Sequence, residues 1–288
     1  MVNEFDLIDT FPEFMDYWKR CEKDNVSGEV KTWENFYKTN YPELFEKTVQ
    51  DYTESGLNWE NVARDKIFPI NVDRIRVMEL ACVNLRKVIK DLYNDPELLK
   101  FYLPRMTFVI YLGLGNGAGW ATDYDSRPAI LLGLENIVDM GWEGEMALKG
   151  LILHEMGHII HYELRRERKI NNGNGPLWTL YEEGFAQYFE SLSIPSEIWH
   201  QALGQHGWVD WCEDHLSYLA KLFLSEVEAG GETKRFFGSW FDVDGWKETG
   251  YYLGERVVNL LKLPFNDLAC LSLEDVGILM KNSLIEIS

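Results

Sequence analysis

Apolar residues recur three and four positions apart along much of this chain, which is the spacing of one face of a helix. In the N-terminal part, this spacing predicts helices over residues 11–23, 31–52, 73–94 and 96–101. In the C-terminal part, it predicts helices around residues 150–160, 180–190, 198–228 and 251–263. The pattern therefore indicates a mostly helical protein.

Two stretches depart from the helical spacing. Residues 106–114 and 128–134 are nearly continuous runs of β-branched and large apolar residues, and such runs predict strands. A glycine-rich segment, residues 115–122, separates them. We therefore expect an α+β fold that is mostly α and contains one small sheet. We expect a helical N-terminal region over residues 1–104 and a second domain over residues 105–288.

The composition fits a well-packed globular protein, because 46% of the 288 residues are hydrophobic and 14% are aromatic. The sequence contains no apolar run of about 18 residues, and its first residues lack the basic and apolar regions of a signal peptide. The four cysteines stand far apart without a CxxC pair, which is typical of reduced thiols. These features predict a cytoplasmic protein.

The net charge is −19, from 47 acidic and 28 basic residues. A surface with this excess of negative charge repels phosphate backbones and anionic lipid head groups. We therefore expect neither nucleic acid nor a membrane as a partner. The sequence leaves the oligomeric state open.

The segment His154-Glu155-Met156-Gly157-His158 lies in an apolar run and carries recognisable chemistry. Residues four apart lie on one face of a helix, so His154 and His158 can offer two imidazole nitrogens to one tetrahedral zinc ion. Glu155 follows the first histidine, where its carboxylate can reach a water molecule on the metal without taking a coordination site. The alternative is a pair of core histidines hydrogen-bonded to carbonyl groups.

A catalytic zinc ion usually has three protein ligands, so this motif needs one more. The helix predicted around residues 180–190 has aromatic residues on its inner face, and Glu183 and Glu190 on a neighbouring stripe. The small residues Gly184 and Ala186 would let this helix approach the histidine helix, so that a carboxylate reaches the metal. The alternative for Glu183 is a solvated helix acid.

These two motifs together resemble the gluzincin metallopeptidases. In the aminopeptidase branch of that group, HExxH is followed by a helix with the motif EGFA, matched here by Glu183-Gly184-Phe185-Ala186. The resemblance implies that Glu183, and not Glu182, is the third zinc ligand. The segment between His158 and Glu183 is longer here than in that branch. The extra length falls around the turn-rich residues 171–176, where it costs little free energy.

The chain is also similar to a bacterial family of predicted zinc-dependent proteases, in which a glycine-rich strand pair precedes HExxH and a GYxxG segment follows it. Here Gly250-Tyr251-Tyr252-Leu253-Gly254 fits the second motif, and the likeness covers residues 105–262. It implies a thermolysin-like fold with a small sheet, an active-site helix and a helical lobe. Gluzincins commonly place a tyrosine or histidine opposite the zinc, which makes Tyr251 the first and Tyr252 the second candidate for stabilising the oxyanion. Both can instead be packing residues.

Candidates for substrate binding precede the histidine helix. Gly133-Leu134-Glu135-Asn136 resembles the aminopeptidase strand whose glutamate binds the free amino group of the substrate, although one residue of that motif is missing. Glu135 can instead cap the following turn. Gly117 and Gly119 permit close backbone approach, so an edge strand there can bind an extended peptide. The alternative is an ordinary hairpin turn. His161 is expected to pack or to orient a neighbour rather than to bind the metal.

The sequence thus predicts a zinc-dependent peptidase in which residues 105–288 form the catalytic domain. One zinc ion would be held by His154, His158 and Glu183, with Glu155 as the general base. The substrate would be a peptide or protein, and both endopeptidase and aminopeptidase activity fit the motifs. Three alternatives stay open: a non-peptide zinc hydrolase on the same fold, a catalytically silent zinc-stabilised peptide-binding protein, and a metal-free helical interaction protein.

Overall fold

The computed structural model describes residues 5–92, 95–96, 98–101, 103–231, 233–238 and 241–288. The chain forms two compact units, Met1–Ile152 and Leu153–Ser288. The boundary that the sequence predicts after residue 104 falls within the first of these units. The end of the predicted helix over residues 73–94, at positions 93–94, lies outside the described residues, as does position 97 of the helix predicted over residues 96–101.

The first unit contains a sheet of four strands: β1 (Phe5–Asp9), β2 (Met106–Tyr111), β3 (Gly119–Tyr124) and β4 (Arg127–Gly133). Their order in the sheet is β1-β2-β4-β3. β2 is parallel to β1 and to β4, with Phe108 paired to Leu7 on one side and to Ile130 on the other, whereas β3 is antiparallel to β4. The protein is therefore an α+β protein, mostly helical, with one small mixed sheet.

The two central strands confirm the sequence prediction. β2 is buried throughout, and β4 is buried from Ala129 onwards, so both are continuous apolar runs. The edge strands β1 and β3 are additional to the predicted strands. β1 is short, and β3 is only partly buried and begins with glycine, so neither has a clear apolar pattern. Asp125 and Ser126, both with positive φ, form the tight turn from β3 to β4.

Helices account for the rest of the first unit's regular structure. The predicted helix over residues 31–52 is two helices, because Pro42 has no N–H to continue the hydrogen-bond ladder and instead starts a new helix. A π-helical turn, Ala63–Ile67, extends the fourth helix. The helices are α1 (Phe11–Arg20), α2 (Val26–Asn40), α3 (Pro42–Glu54), α4 (Trp59–Val62), α5 (Val72–Leu92), α6 (Leu134–Asp139) and α7 (Glu145–Glu167), the last of which continues into the second unit.

The second unit is helical in all its described elements. They are α8 (Pro176–Ser191), α9 (Trp208–Asp214), α10 (Leu216–Glu228), α11 (Thr249–Leu260), α12 (Phe265–Ala269) and α13 (Leu273–Ile287). The predicted helix over residues 198–228 is interrupted by Gly204 and Gly207, whose φ angles of 77° and 83° are left-handed. α12 and α13 are additional to the prediction. Among the described helices, none has both the length and the apolar character needed to cross a membrane.

Close glycine contacts set the spacing of the three helices that matter for the site. A Cβ atom on Gly157 of α7 would lie 2.7 Å from the Cα atom of Ala186 on α8. A Cβ atom on Gly184 of α8 would lie 2.4 Å from the carbonyl oxygen of Gly254 on α11. The expectation that Ala186 permits close approach to the histidine helix is confirmed. The expectation for Gly184 is wrong, because its open face meets α11 instead.

Candidate functional site

The three predicted ligands converge within the second unit. His154 and His158 lie one turn apart on α7, and Glu183 lies on α8. Glu183 Oε2 is 3.2 Å from Nε2 of His154 and 3.3 Å from Nε2 of His158. One donor atom of each residue lies within 4.8 Å of the other two. Donor atoms bonded to a tetrahedral zinc ion lie roughly 3.3 Å apart, so this group can hold such an ion.

His158 and Glu183 stabilise each other in their charged forms. Burial lowers the pKa of His158, but the charge and hydrogen bond of Glu183 outweigh burial and raise this pKa to about 9. Burial raises the pKa of Glu183, whereas the charge of His158 and hydrogen bonds from both histidines hold it well below its usual range. Glu183 is therefore anionic, as a metal ligand must be. A divalent cation on the same atoms would replace the histidine proton as the balancing charge.

The outer nitrogen of His154 faces a buried polar network that the sequence prediction did not include. His154 Nδ1 lies 4.0 Å from Oε2 of Glu190, one of the most deeply buried acids of the described chain. Gln187 donates a hydrogen bond of 2.8 Å to Glu190 Oε2, and Nδ1 of His200 lies 3.2 Å from Glu190 Oε1. Gln201 in turn donates to Gln187. At 4.0 Å the approach of Glu190 to His154 is electrostatic and not a hydrogen bond, and His154 Nδ1 has no hydrogen-bond partner among the described residues.

The helical spacing of α8 indicates part of this network in advance. Glu190 and Gln187 lie seven and four positions after Glu183, so all three share a stripe. The sequence prediction therefore put Glu190 on the same stripe as Glu183 but assigned no role to Glu190. His200 had no sequence signal, because it belongs to a short 3₁₀ turn, His200–Ala202, outside any motif.

Glu155 and Tyr251 both lie within electrostatic range of the ligand group. The Glu155 charge contributes to the raised pKa values of His158 and of Tyr251. The Tyr251 ring lies 5.4 Å from the His154 ring, centroid to centroid. Burial, together with the charges of Glu183, Glu248 and Glu155, raises the Tyr251 pKa well above its ordinary value. The hydroxyl therefore keeps its proton at neutral pH and can donate it in a hydrogen bond.

The second tyrosine candidate, Tyr252, is a core residue. It is fully buried, and its ring packs 6.1 Å from the ring of Trp199 and 5.9 Å from that of Trp208. Arg256 donates a hydrogen bond of 3.2 Å to its hydroxyl. Because neighbouring residues of α11 point in different directions, only Tyr251 of this pair contacts the ligand group.

Glu248, the residue immediately before α11, is a buried acid that no sequence motif indicated. Its backbone is left-handed, with a φ of 60°, and only 5% of its surface is exposed. Burial raises the pKa of Glu248 to about 7, against the lowering effect of Lys247 and His154. Its carbonyl oxygen accepts a hydrogen bond of 3.3 Å from the N–H of Tyr251, the residue whose ring lies beside that of His154.

His161 lies on α7 beyond the ligands and is completely buried. Its ring centroid lies 5.0 Å from that of Phe185 and 5.2 Å from that of Tyr181. Burial, together with the charges of Arg165 and His158, lowers the pKa of His161 well below its usual value. These contacts agree with the expected packing role.

Arg165, also fully buried, fixes the chain between the two ligand helices. It donates hydrogen bonds to Asn172 Oδ1 and to the carbonyl oxygens of Ala269 and Leu271, at 3.0, 3.0 and 2.8 Å. Its guanidinium group also lies 4.7 Å from the ring centroid of Trp178. The turn-rich segment before α8, which is longer than in the gluzincin aminopeptidases, is therefore held in place rather than loose.

The candidates for substrate binding lie in the first unit. Glu135 is 1% exposed, and its carboxylate accepts hydrogen bonds from the backbone N–H groups of Gly113 at 2.7 Å and Gly115 at 2.9 Å. Burial raises its pKa to about 6, although these hydrogen bonds lower it. These hydrogen bonds tie Glu135 to the loop that follows β2, whereas the alternative from the sequence had it cap the turn that comes after it. A role in binding the substrate's amino group stays a prediction.

Gly119 is the first residue of the edge strand β3, and Gly117 lies in the loop before it. A Cβ atom on Gly133 would lie 2.6 Å from the carbonyl oxygen of Gly117, so this loop packs tightly against the end of β4. Gly133 N–H also donates to the carbonyl oxygen of Ala118. An edge strand is present, as strand addition requires. Peptide binding by Gly117 and Gly119 stays a prediction.

Comparisons with known proteins give no independent assignment. No protein-family model matches the chain. No curated protein and no solved structure matches it either.

Proposed function

We propose that this protein is a zinc-dependent peptidase of the gluzincin type, with His154, His158 and Glu183 as the ligands of one zinc ion. The observation that carries the proposal is the convergence of these three donor atoms within 4.8 Å, from two helices. A catalytic zinc site has such a donor set, two imidazoles and one carboxylate, and leaves a coordination position for water. Two further groups suited to hydrolysis, Glu155 and Tyr251, lie within electrostatic range of it.

The proposed mechanism assigns tasks to the zinc ion and to three side chains near its candidate ligands. When bound, zinc would supply Lewis acidity for the scissile carbonyl and for the attacking water. Glu155 would accept a proton from that water and pass it to the departing amine. The Tyr251 hydroxyl would donate a hydrogen bond to the developing oxyanion. Glu190 would hold the orientation of His154 through its outer nitrogen.

The thermolysin-like plan is part of the same proposal. It is supported by the presence of its elements: a small mixed sheet with an antiparallel edge strand, a long helix with the histidine motif, and a helical C-terminal unit. The edge strand β3, with Gly119, would bind an extended peptide by strand addition.

The test combines metal analysis with a peptide-library digest. Purified protein should contain about one zinc ion per chain, and Glu183→Gln should lose it. Glu182→Gln is the matched control, because the neighbouring Glu182 binds Tyr162 and Trp178 rather than the histidines. Loss of zinc from the Glu182 variant and not from the Glu183 variant would overturn the ligand assignment.

The same digest tests the general base. Glu155→Gln should retain zinc and lose at least about a hundredfold in turnover, because the amide cannot accept the proton. Substantial hydrolysis by this variant would remove Glu155 from the mechanism. Comparing peptides with free and blocked N-termini separates aminopeptidase from endopeptidase activity. Zinc binding without cleavage of any peptide would favour a non-peptide hydrolase or a silent peptide-binding protein.

A further inference from the structure

The mechanism proposed above leaves one buried carboxylate near the metal group without a task. Glu248 is 5% exposed and has a left-handed backbone, with φ 60° and ψ 21°. A residue other than glycine in this conformation costs about 1 kcal/mol or more, so the surrounding structure must hold it there. Such strain is often found where a side chain has to be directed at a particular point.

Hydrogen bonds on both sides fix the backbone of Glu248. Trp208 Nε1 donates to the carbonyl oxygen of Lys247 at 2.8 Å, and the Lys247 N–H donates to Oε1 of Gln205 at 2.9 Å. On the other side, the Tyr251 N–H donates to the carbonyl oxygen of Glu248 at 3.3 Å. The carboxylate is therefore carried by a rigid segment at the start of α11, as a preorganised binding group requires.

The carboxylate of Glu248 has no cationic partner among the described residues. Among the residues that the structure describes, none donates a hydrogen bond to the carboxylate of Glu248 or forms an ion pair with it. Glu248 lies three residues before Tyr251, whose ring is 5.4 Å from that of His154, so it is placed beside groups that the proposed mechanism uses. Glu248 is not one of the converging metal donors, which are His154, His158 and Glu183. Neither oxygen of this carboxylate is among the fully buried side-chain atoms without a hydrogen-bond partner, so the charged end of Glu248 is open to water and to a cationic group of a ligand.

We propose that Glu248 binds a cationic group of the substrate, a protonated amine or a guanidinium, beside the bond that is cleaved. This inference rests on the proposed peptidase function and adds a substrate class to it. Two sources supply the same chemistry: the free α-amino group of a peptide, and the side chain of a lysine or arginine next to the scissile bond. The net charge of −19 would also draw cationic peptides towards the protein.

Four hydroxamates, which bind zinc through the same group, test this proposal by calorimetry on the zinc-loaded protein. Norleucine hydroxamate carries only the α-amine, Nα-acetyl-lysine hydroxamate carries only the side-chain amine, and lysine hydroxamate carries both. Nα-acetyl-norleucine hydroxamate carries neither and is the neutral reference. Comparing the first two compounds shows which source of positive charge Glu248 recognises.

At least one singly charged compound should bind the wild-type protein about ten- to a hundredfold more tightly than the neutral reference. Glu248→Gln, which keeps the size of the side chain and removes its charge, should abolish that advantage and leave the Kd of the neutral compound within about twofold. Glu248→Asp should keep part of the tighter binding of the charged compound. Asp244→Asn is the matched control, since Asp244 is an exposed acid in the same segment with a φ of 55°, and should keep all of it.

Two results would overturn the assignment of Glu248. One is an unchanged preference for cations in Glu248→Gln, and the other is an equal loss of affinity for all four compounds. Failure of the underlying function looks different: the neutral hydroxamate would then fail to bind the wild-type protein as well. In that case both proposals fall together.

Discussion

At the scale of single residues, His154 lies between two carboxylates, one in the proposed metal site and one behind it. The imidazole has one nitrogen towards Glu183 and the other towards Glu190, at 3.2 and 4.0 Å. Glu190 is itself held by Gln187 and His200. Because a histidine binds a metal only as the correct tautomer, a carboxylate behind the outer nitrogen raises metal affinity without touching the metal.

Glu190→Gln should therefore weaken zinc binding about ten- to a hundredfold. The amide keeps the size of the side chain but loses the charge that fixes the tautomer of His154. Competition with a chromophoric chelator measures the affinity. Glu197→Gln, at an exposed acid further along the chain, is the control and should bind zinc like the wild type. Equal affinities for the Glu190 variant and the wild type would show that Glu190 has only a packing role.

At the scale of elements, contacts between small residues determine how α7, α8 and α11 meet. Gly157 lies against Ala186, and Gly184 lies against Gly254. In both contacts a Cβ atom on the glycine would be less than 3.0 Å from a backbone atom of the facing helix. These contacts place the helix of Glu183 between the helix of the histidines and the helix of Tyr251. The separation of the catalytic candidates is therefore set by glycine positions on neighbouring helices.

Gly184→Ala should lower the free energy of unfolding by roughly 1–3 kcal/mol, because its methyl group would overlap the backbone of Gly254 and force α8 and α11 apart. Chemical denaturation measures the change. Gly277→Ala in α13 is the matched control, since nothing lies within 4 Å of its Cβ position. Alanine is the better helix former, so this control should gain up to about 1 kcal/mol. A gain in stability from both variants would contradict the close contact.

At the scale of the whole molecule, the candidate metal centre lies entirely within the second of the two compact units. A ligand that binds only the folded protein adds to its stability according to its free concentration relative to Kd. Zinc would thus stabilise the unit that contains α8 and α11 directly, by cross-linking α7 to α8. The sheet in the first unit has no part in the donor group.

Removal of zinc with a chelator should therefore lower protection from hydrogen exchange in α8 and in the C-terminal half of α7, while β2 and β4 keep theirs. At a free zinc concentration of about a thousand times Kd, the difference in unfolding free energy amounts to about 4 kcal/mol. Mass spectrometry of exchanged peptides measures the effect for each element. Glu183→Gln should show no response to the chelator. A uniform loss of protection over both units would contradict a local effect of the metal.

Local features of the fold were predictable where a single segment determines them. His154 and His158 share a helix face because their separation of four residues matches the helical period, whatever surrounds the helix. The buried strands β2 and β4 can be recognised in the sequence because each is a nearly continuous apolar run. The sequence prediction missed the break at Pro42, because the apolar spacing continues across it. The break itself has a local cause, since proline lacks the N–H that would continue the helix.

The sequence by itself determined the candidate ligand residues, the central strands and the helical character, since each depends on the order of residues within one segment. Tertiary structure alone decided that Glu190 faces His154, that Glu248 is buried beside the ligands, and that Gly184 meets α11. These are contacts between segments far apart in the chain, and no local periodicity encodes which side chains such segments bring together. The edge strand β1 follows the same reasoning, because it becomes a strand by pairing with β2, about a hundred residues later.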